Sequence, residues 1–147
     1  MTGASWRCHR TPVMEGFVTQ SLDGKPLSCL MGDIKEWDSG TLRTTVFPNF
    51  WQYASDDHAV ATRLTPLTAT TTQVDVSWFV HKDAVEGRDY DPERVASFHH
   101  EVMTEDWEIC RRQWLGVMSP GFEPGPYSPT KEANVERYLR WYERQIG

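Results

Sequence analysis

The chain predicts an α+β fold, a curved antiparallel sheet followed by C-terminal helices. Three observations carry this. Short extended segments broken by turn residues fill the first eighty positions, and helical periodicity fills the rest. The clearest strand, Thr71 to Val80, alternates Val74, Val76, Trp78 and Val80 with Gln73, Asp75 and Ser77. That alternation suits an antiparallel sheet with one covered face, not a doubly wound parallel one. The order of strands first and helices last then places a sheet against a helix.

The elements follow in order. Residues 1–11 show no period and read as an irregular lead-in, closed by Pro12. Phe17 to Gln20 and Pro26 to Leu30 flank Asp23-Gly24, a turn signal that predicts a β-hairpin. A Gly/Asp-rich connection leads to a strand from Thr41 to Phe47, stopped by Pro48. Phe50 to Tyr53 is extended, Ser55-Asp56-Asp57 is a turn, and Ala59 to Leu64 is a strand ended by Thr65-Pro66. The first helix runs from about Asp91 to Val117, with Asp91 as N-cap and Pro92 at its first position. The second begins near Ser128-Pro129 and runs to Ile146, with Val135, Tyr138, Leu139, Tyr142 and Ile146 as its apolar stripe. A Pro/Gly-rich loop, Ser119 to Ser128, joins them.

Composition narrows the class. A length of 147 residues suits one domain, and seven tryptophans with 39% hydrophobic residues imply a real core. A formal net charge of −6 argues against nucleic acid or an anionic membrane as principal partner. No apolar run approaches the roughly 20 residues needed to span a bilayer. Residues 1–10 lack the apolar core of a secretory signal. Three cysteines (Cys8, Cys29, Cys110) without paired spacing read as reduced thiols, so a cytoplasmic location is expected.

The residue that draws attention is Asp106. At about 100° per residue, Val95, Phe98, Val102 and Ile109 share one helix face, and Asp106 falls near its centre. An acid facing a core requires a partner. One solution is an arginine such as Arg63 or backbone donors; the other is the carboxylate of a two-histidine, one-carboxylate iron site with positions open to dioxygen. His99 lies two turns earlier on the same side, separated by about 10 Å of rise, too far for direct co-ligation. It reads as a packing or pocket-lining residue. His9, His58 and His81 are isolated and read as surface or strand-end positions. Glu105 and Glu108 read as solvated helix charges, and Cys110 as a small core residue. Phe47, Phe50, Trp51, Tyr53 and Trp78 are candidates for an apolar pocket or for plain core. No phosphate loop, nucleophile elbow or zinc signature occurs.

Four stretches together carry a family resemblance. They are Ser21-Leu22-Asp23-Gly24-Lys25; Val46-Phe47-Pro48-Asn49; Glu105-Asp106 with Cys110, Gly116 and Ser119; and Gly125-Pro126-Tyr127-Ser128 with Glu132, Val135 and Trp141-Tyr142. In order and spacing they resemble the C-terminal part of the catalytic domain of Rieske-type aromatic ring-hydroxylating oxygenase α subunits, over residues 12–147. The resemblance implies a partial helix-grip, START/Bet v 1-like fold. It makes Asp106 a ligand of mononuclear non-haem Fe(II), with Val102, Met103 and His99 towards the substrate. It implies a dioxygenase, monooxygenase or demethylase acting on an aromatic or other small organic substrate with O2, fed by ferredoxin or reductase donors through a 2Fe–2S cluster.

The departures are specific. The C-x-H and C-x2-H cluster ligands and the H-x4-H iron histidines do not occur in these residues, and Trp114 and Arg111 replace the family's glutamine and glutamate. The expectation is an incomplete catalytic segment that needs an N-terminal half or a partner oxygenase chain. The alternative is a non-catalytic helix-grip module that binds an apolar small molecule.

Overall fold

A computed structural model describes residues 5–147. Among them lie five strands and two helices: β1 (Trp6–Pro12), β2 (Gly40–Val46), β3 (Phe50–Ala54), β4 (Ala59–Pro66), β5 (Thr72–Phe79), α1 (Pro92–Val117) and α2 (Ala133–Ile146). The strands form one open antiparallel sheet in sequence order. This is the expected α+β class. The chain divides into two compact units, Met1–Phe98 and His99–Gly147.

In the first unit, strand register sorts the side chains. Thr41 and Arg43 of β2, Tyr53 of β3, Val60 and Thr62 of β4, and Val76 and Trp78 of β5 fall on one face. Thr41, Val60 and Thr62 are buried, with Val60 fully inaccessible, so this is the covered face. On β5 the expected alternation holds: Val74, Val76 and Trp78 are half-buried and Gln73, Asp75 and Ser77 exposed. The opposite face carries Arg10 of β1, which pairs with Asp38 and reaches Asp56 at 3.1 Å and the Gly40 carbonyl at 3.0 Å.

Two expectations for this unit are corrected. The supposed irregular lead-in, 1–11, contains β1, which pairs with β2 from Trp6↔Val46 to Pro12↔Gly40; residues 1–4 lie outside the described residues. Its polar sequence, Arg7-Cys8-His9-Arg10-Thr11, hides a strand whose stability comes from its neighbour's ladder. The hairpin around Asp23-Gly24 is a turn without strands. Val18 N–H donates to the Gly24 carbonyl at 2.8 Å, and Gly24 has φ +72°. The Leu27 N–H that a ladder would have used donates instead to a side chain, the Asp57 carboxylate, at 2.7 Å.

Asp91 caps α1 as expected, accepting the Glu93 N–H at 3.0 Å. In the second unit, α2 starts at Ala133, later than Ser128-Pro129 suggested. Ser128 to Glu132 first forms a closed turn, in which the Glu132 side chain accepts the Ser128 N–H at 2.5 Å and the Ser128 carbonyl accepts the Glu132 N–H at 3.1 Å. Val135, Tyr142 and Ile146 of the α2 stripe are exposed, while Tyr138 stacks on Tyr142 with ring centroids 6.2 Å apart.

Candidate functional site

The first unit has a buried polar centre where the 55–58 turn meets the 17–28 loop. Asp57 is fully inaccessible. Its Oδ1 accepts from the Thr19 hydroxyl at 2.6 Å and faces His58 Nδ1 at 2.8 Å; its Oδ2 accepts from Leu27 N–H at 2.7 Å and Ser28 N–H at 3.4 Å. Burial pushes the Asp57 carboxyl upward, but the hydrogen bonds from His58 and Thr19, the His58 charge and the Leu27 N–H outweigh it and hold it below the usual carboxylate range. His58, expected at the surface or at a strand end, stands immediately before β4 and is buried because it shares this network. The Ser-Asp-Asp turn motif gave no sign that its last aspartate points inward.

Two cavities flank that loop. One, of about 730 Å³, is a wide depression lined by Pro26 to Cys29 and by Glu86 to Pro92, with Arg94 at its edge. Arg94 ties the start of α1 to the loop, donating to the Pro26 carbonyl at 2.8 Å and to Asp23 at 3.1 Å. The other, of about 240 Å³, is lined by Met14, Phe17, Gln20, Thr41, Arg43 and Phe98 among others. Neither is lined by Phe47, Phe50, Trp51, Tyr53 or Trp78. Arg43 Nε donates to the Thr11 hydroxyl at 3.1 Å, and its guanidinium carbon stands 5.2 Å from the Tyr53 ring centroid. His9, opposite Arg43 in the ladder, has its pKa lowered by burial and by the charges of Arg7 and Arg43.

The expected metal residue lies on α1. Val95 and His99 are buried, but from Glu101 onward the helix is largely exposed: Val102, Asp106, Ile109 and Cys110 are exposed and Met103 is half-buried. Two expectations are thereby corrected. Cys110 is not a core residue. Asp106 does not face a core either, and among the described residues no side-chain hydrogen bond or ion pair engages it. The apolar face that carries it, with Ile109 at 64% exposure, is uncovered in this chain, so the acid needs no neutralising partner. Arg63, the suggested partner, is exposed on β4. Glu108, by contrast, is the solvated helix charge expected, held by Arg111 at 2.9 Å and Arg112 at 2.7 Å.

Among the described residues no group of three His, Cys, Asp or Glu side chains converges to hold a metal. Among the described residues Cys8, Cys29 and Cys110 form no disulfide. The described residues therefore do not by themselves fit an iron site or an iron–sulfur cluster. No helix among the described residues is long and apolar enough to cross a membrane.

Comparison with known proteins decides the family. The model described as "Ring hydroxylating alpha subunit (catalytic domain)" matches residues 7–147. The chain belongs to this family. Members similar to it include the glycine betaine monooxygenase oxygenase subunit of Chromohalobacter salexigens, 40% identical over 92% of this chain. The subunit of the same description in Pseudomonas aeruginosa is 37% identical over 95% of it. The chain spans about a third of the length of these curated relatives, 31% and 33% respectively. Within the family's catalytic domain it corresponds to a C-terminal part, and β1 from Arg7 onward lies inside the matched region.

Proposed function

We propose that this chain is the C-terminal catalytic segment of an iron-dependent oxygenase α subunit that oxygenates a small methylated ammonium compound of the glycine betaine type with O2. The observation that carries the reading is family membership across residues 7–147, with Asp106 in the segment Glu105-Asp106, Cys110, Gly116, Ser119. Asp106 is the carboxylate ligand of a mononuclear non-haem iron in this reading. An exposed carboxylate with no side-chain partner is free to take up a cation, and an open iron site suits oxygen chemistry. Val102 and Met103, one turn earlier on α1, and His99 face the substrate. The two iron histidines and the 2Fe–2S cluster come from an N-terminal part or a partner chain, and ferredoxin or reductase donors supply electrons. The names of the relatives favour monooxygenation of a betaine over dioxygenation of an aromatic ring.

The test replaces Asp106 with alanine in the assembled oxygenase and measures bound mononuclear iron and substrate-dependent O2 uptake. Loss of both, with the 2Fe–2S spectrum retained, is expected. An Asp106→Ala enzyme that keeps its iron and its turnover would overturn the assignment.

A further inference from the structure

The covered face of the sheet is apolar or hydroxylic at Thr41, Val60, Thr62 and Val76, yet Arg43 stands among them. A guanidinium half-buried on such a face attracts an anion. Arg43 has none: among the described residues its contacts are the Thr11 hydroxyl at Nε and the Tyr53 ring beneath it. Thr11 and Tyr53 fix the plane of the guanidinium while leaving the N–H groups of both terminal nitrogens without a protein acceptor.

Arg43 belongs to the lining of the 240 Å³ cavity. Met14, Phe17 and Phe98 supply its apolar wall, and Gln20, whose Oε1 is buried with no hydrogen-bond partner, supplies a second unmet polar atom. A volume below the roughly 300–1,000 Å³ of sites for drug-sized ligands suits a molecule of few heavy atoms. A single cation suits a single negative charge. The chain as a whole is anionic at −6, so an anion bound here depends on local charge, which Arg43 and, on the same face, Arg7 provide.

We propose that this cavity is a pocket for a small organic carboxylate, with Arg43 taking the carboxylate and Phe17 and Phe98 packing against the organic body. The geometry makes Arg43 a specificity-determining residue: it selects an acid over the corresponding alcohol. That this acid is the oxygenase substrate rests on the function proposed above; that the cavity binds it does not.

Isothermal titration of the iron-free chain with glycine betaine and with choline separates the two claims. Both ligands carry the same trimethylammonium group, and only the first carries a carboxylate. Glycine betaine is expected to bind at least about tenfold more tightly than choline, the scale of a charge-assisted hydrogen bond. Arg43→Gln should bring the two affinities within about twofold, and Arg43→Lys should restore part of the difference. Equal affinities in the unaltered chain, absence of binding, or discrimination that survives Arg43→Gln in a variant of unchanged circular dichroism overturns the proposal. Because no metal or electron donor takes part, those results leave the Asp106 assignment standing. Loss of that assignment would likewise leave carboxylate binding intact.

Discussion

Removing the Asp57 carboxylate should unfold the first unit at a much lower denaturant concentration. Asp57→Ala strands four groups in a fully inaccessible place: the Thr19 hydroxyl, the Leu27 and Ser28 N–H groups and His58 Nδ1. The Ser28 contact is long at 3.4 Å and counts for little. The three shorter ones, at 2.6 to 2.8 Å, are charge-assisted, and each orphaned partner costs about 1–3 kcal/mol. Allowing for relaxation and entering water, the loss is about 3–5 kcal/mol. Asp57→Asn should be milder, about 1–2 kcal/mol, for a reason that lies in the partners. The Thr19 hydroxyl and His58 Nδ1 can each turn from donor to acceptor, so the amide nitrogen can face them while the amide oxygen keeps Leu27. Urea titration of the whole chain, followed by the fluorescence of its seven tryptophans and by amide exchange at Leu27, reads both variants. The acid side supplies a second check. The folded-state pKa of Asp57 is depressed, so its contribution is present above the unfolded pKa near 3.9 and is lost as pH falls through the folded value. The gap between the native chain and Asp57→Asn should therefore be full at neutral pH and shrink below about pH 4. An alanine variant within about 1 kcal/mol of the native chain, or an asparagine variant as damaged as the alanine one, refutes the clamp.

Other expectations follow from the same geometry. Gly24→Ala places a methyl 2.5 Å from the Phe17 ring at a residue with φ +72°, so it should destabilise by roughly 1–3 kcal/mol and disturb the wall of the smaller cavity, read by thermal melting. Val60→Ala empties space at an inaccessible position in the middle of the covered face and should cost about 2 kcal/mol in the same melt. Asp106→Ala in this chain should shift stability by under about 0.5 kcal/mol, since the carboxylate is exposed and engages no partner; a loss of several kcal/mol would restore the buried-arginine explanation.

Much of the architecture was legible because it is written in local periodicity. The β5 alternation, the Asp91-Pro92 start of α1 and the breaks at Pro48 and Pro66 each depend on neighbouring residues, and the structure has strands and a helix there. β1 was missed because nothing local distinguishes Trp6–Pro12 from a polar tail; only its distant pairing with β2, from Trp6↔Val46 to Pro12↔Gly40, makes it a strand. The hairpin was over-read for the converse reason. Asp23-Gly24 does turn, but the donors flanking it answer to Asp57, thirty residues beyond Leu27.

Periodicity and motif spacing, which survive without coordinates, were enough for the α+β order, the start of α1 and the family. Tertiary structure alone decided which acid is buried. Helical phase pointed to Asp106, but burial depends on whether another element covers a face, and in this chain that face is open. Asp57 sits in a turn that reads as solvent-exposed, yet the 17–28 loop closes over it. The isolation of Arg43 from any carboxylate was equally unreadable. It follows from the register of β1, β2 and β3, which sets Thr11 and Tyr53, not an acid, against its guanidinium.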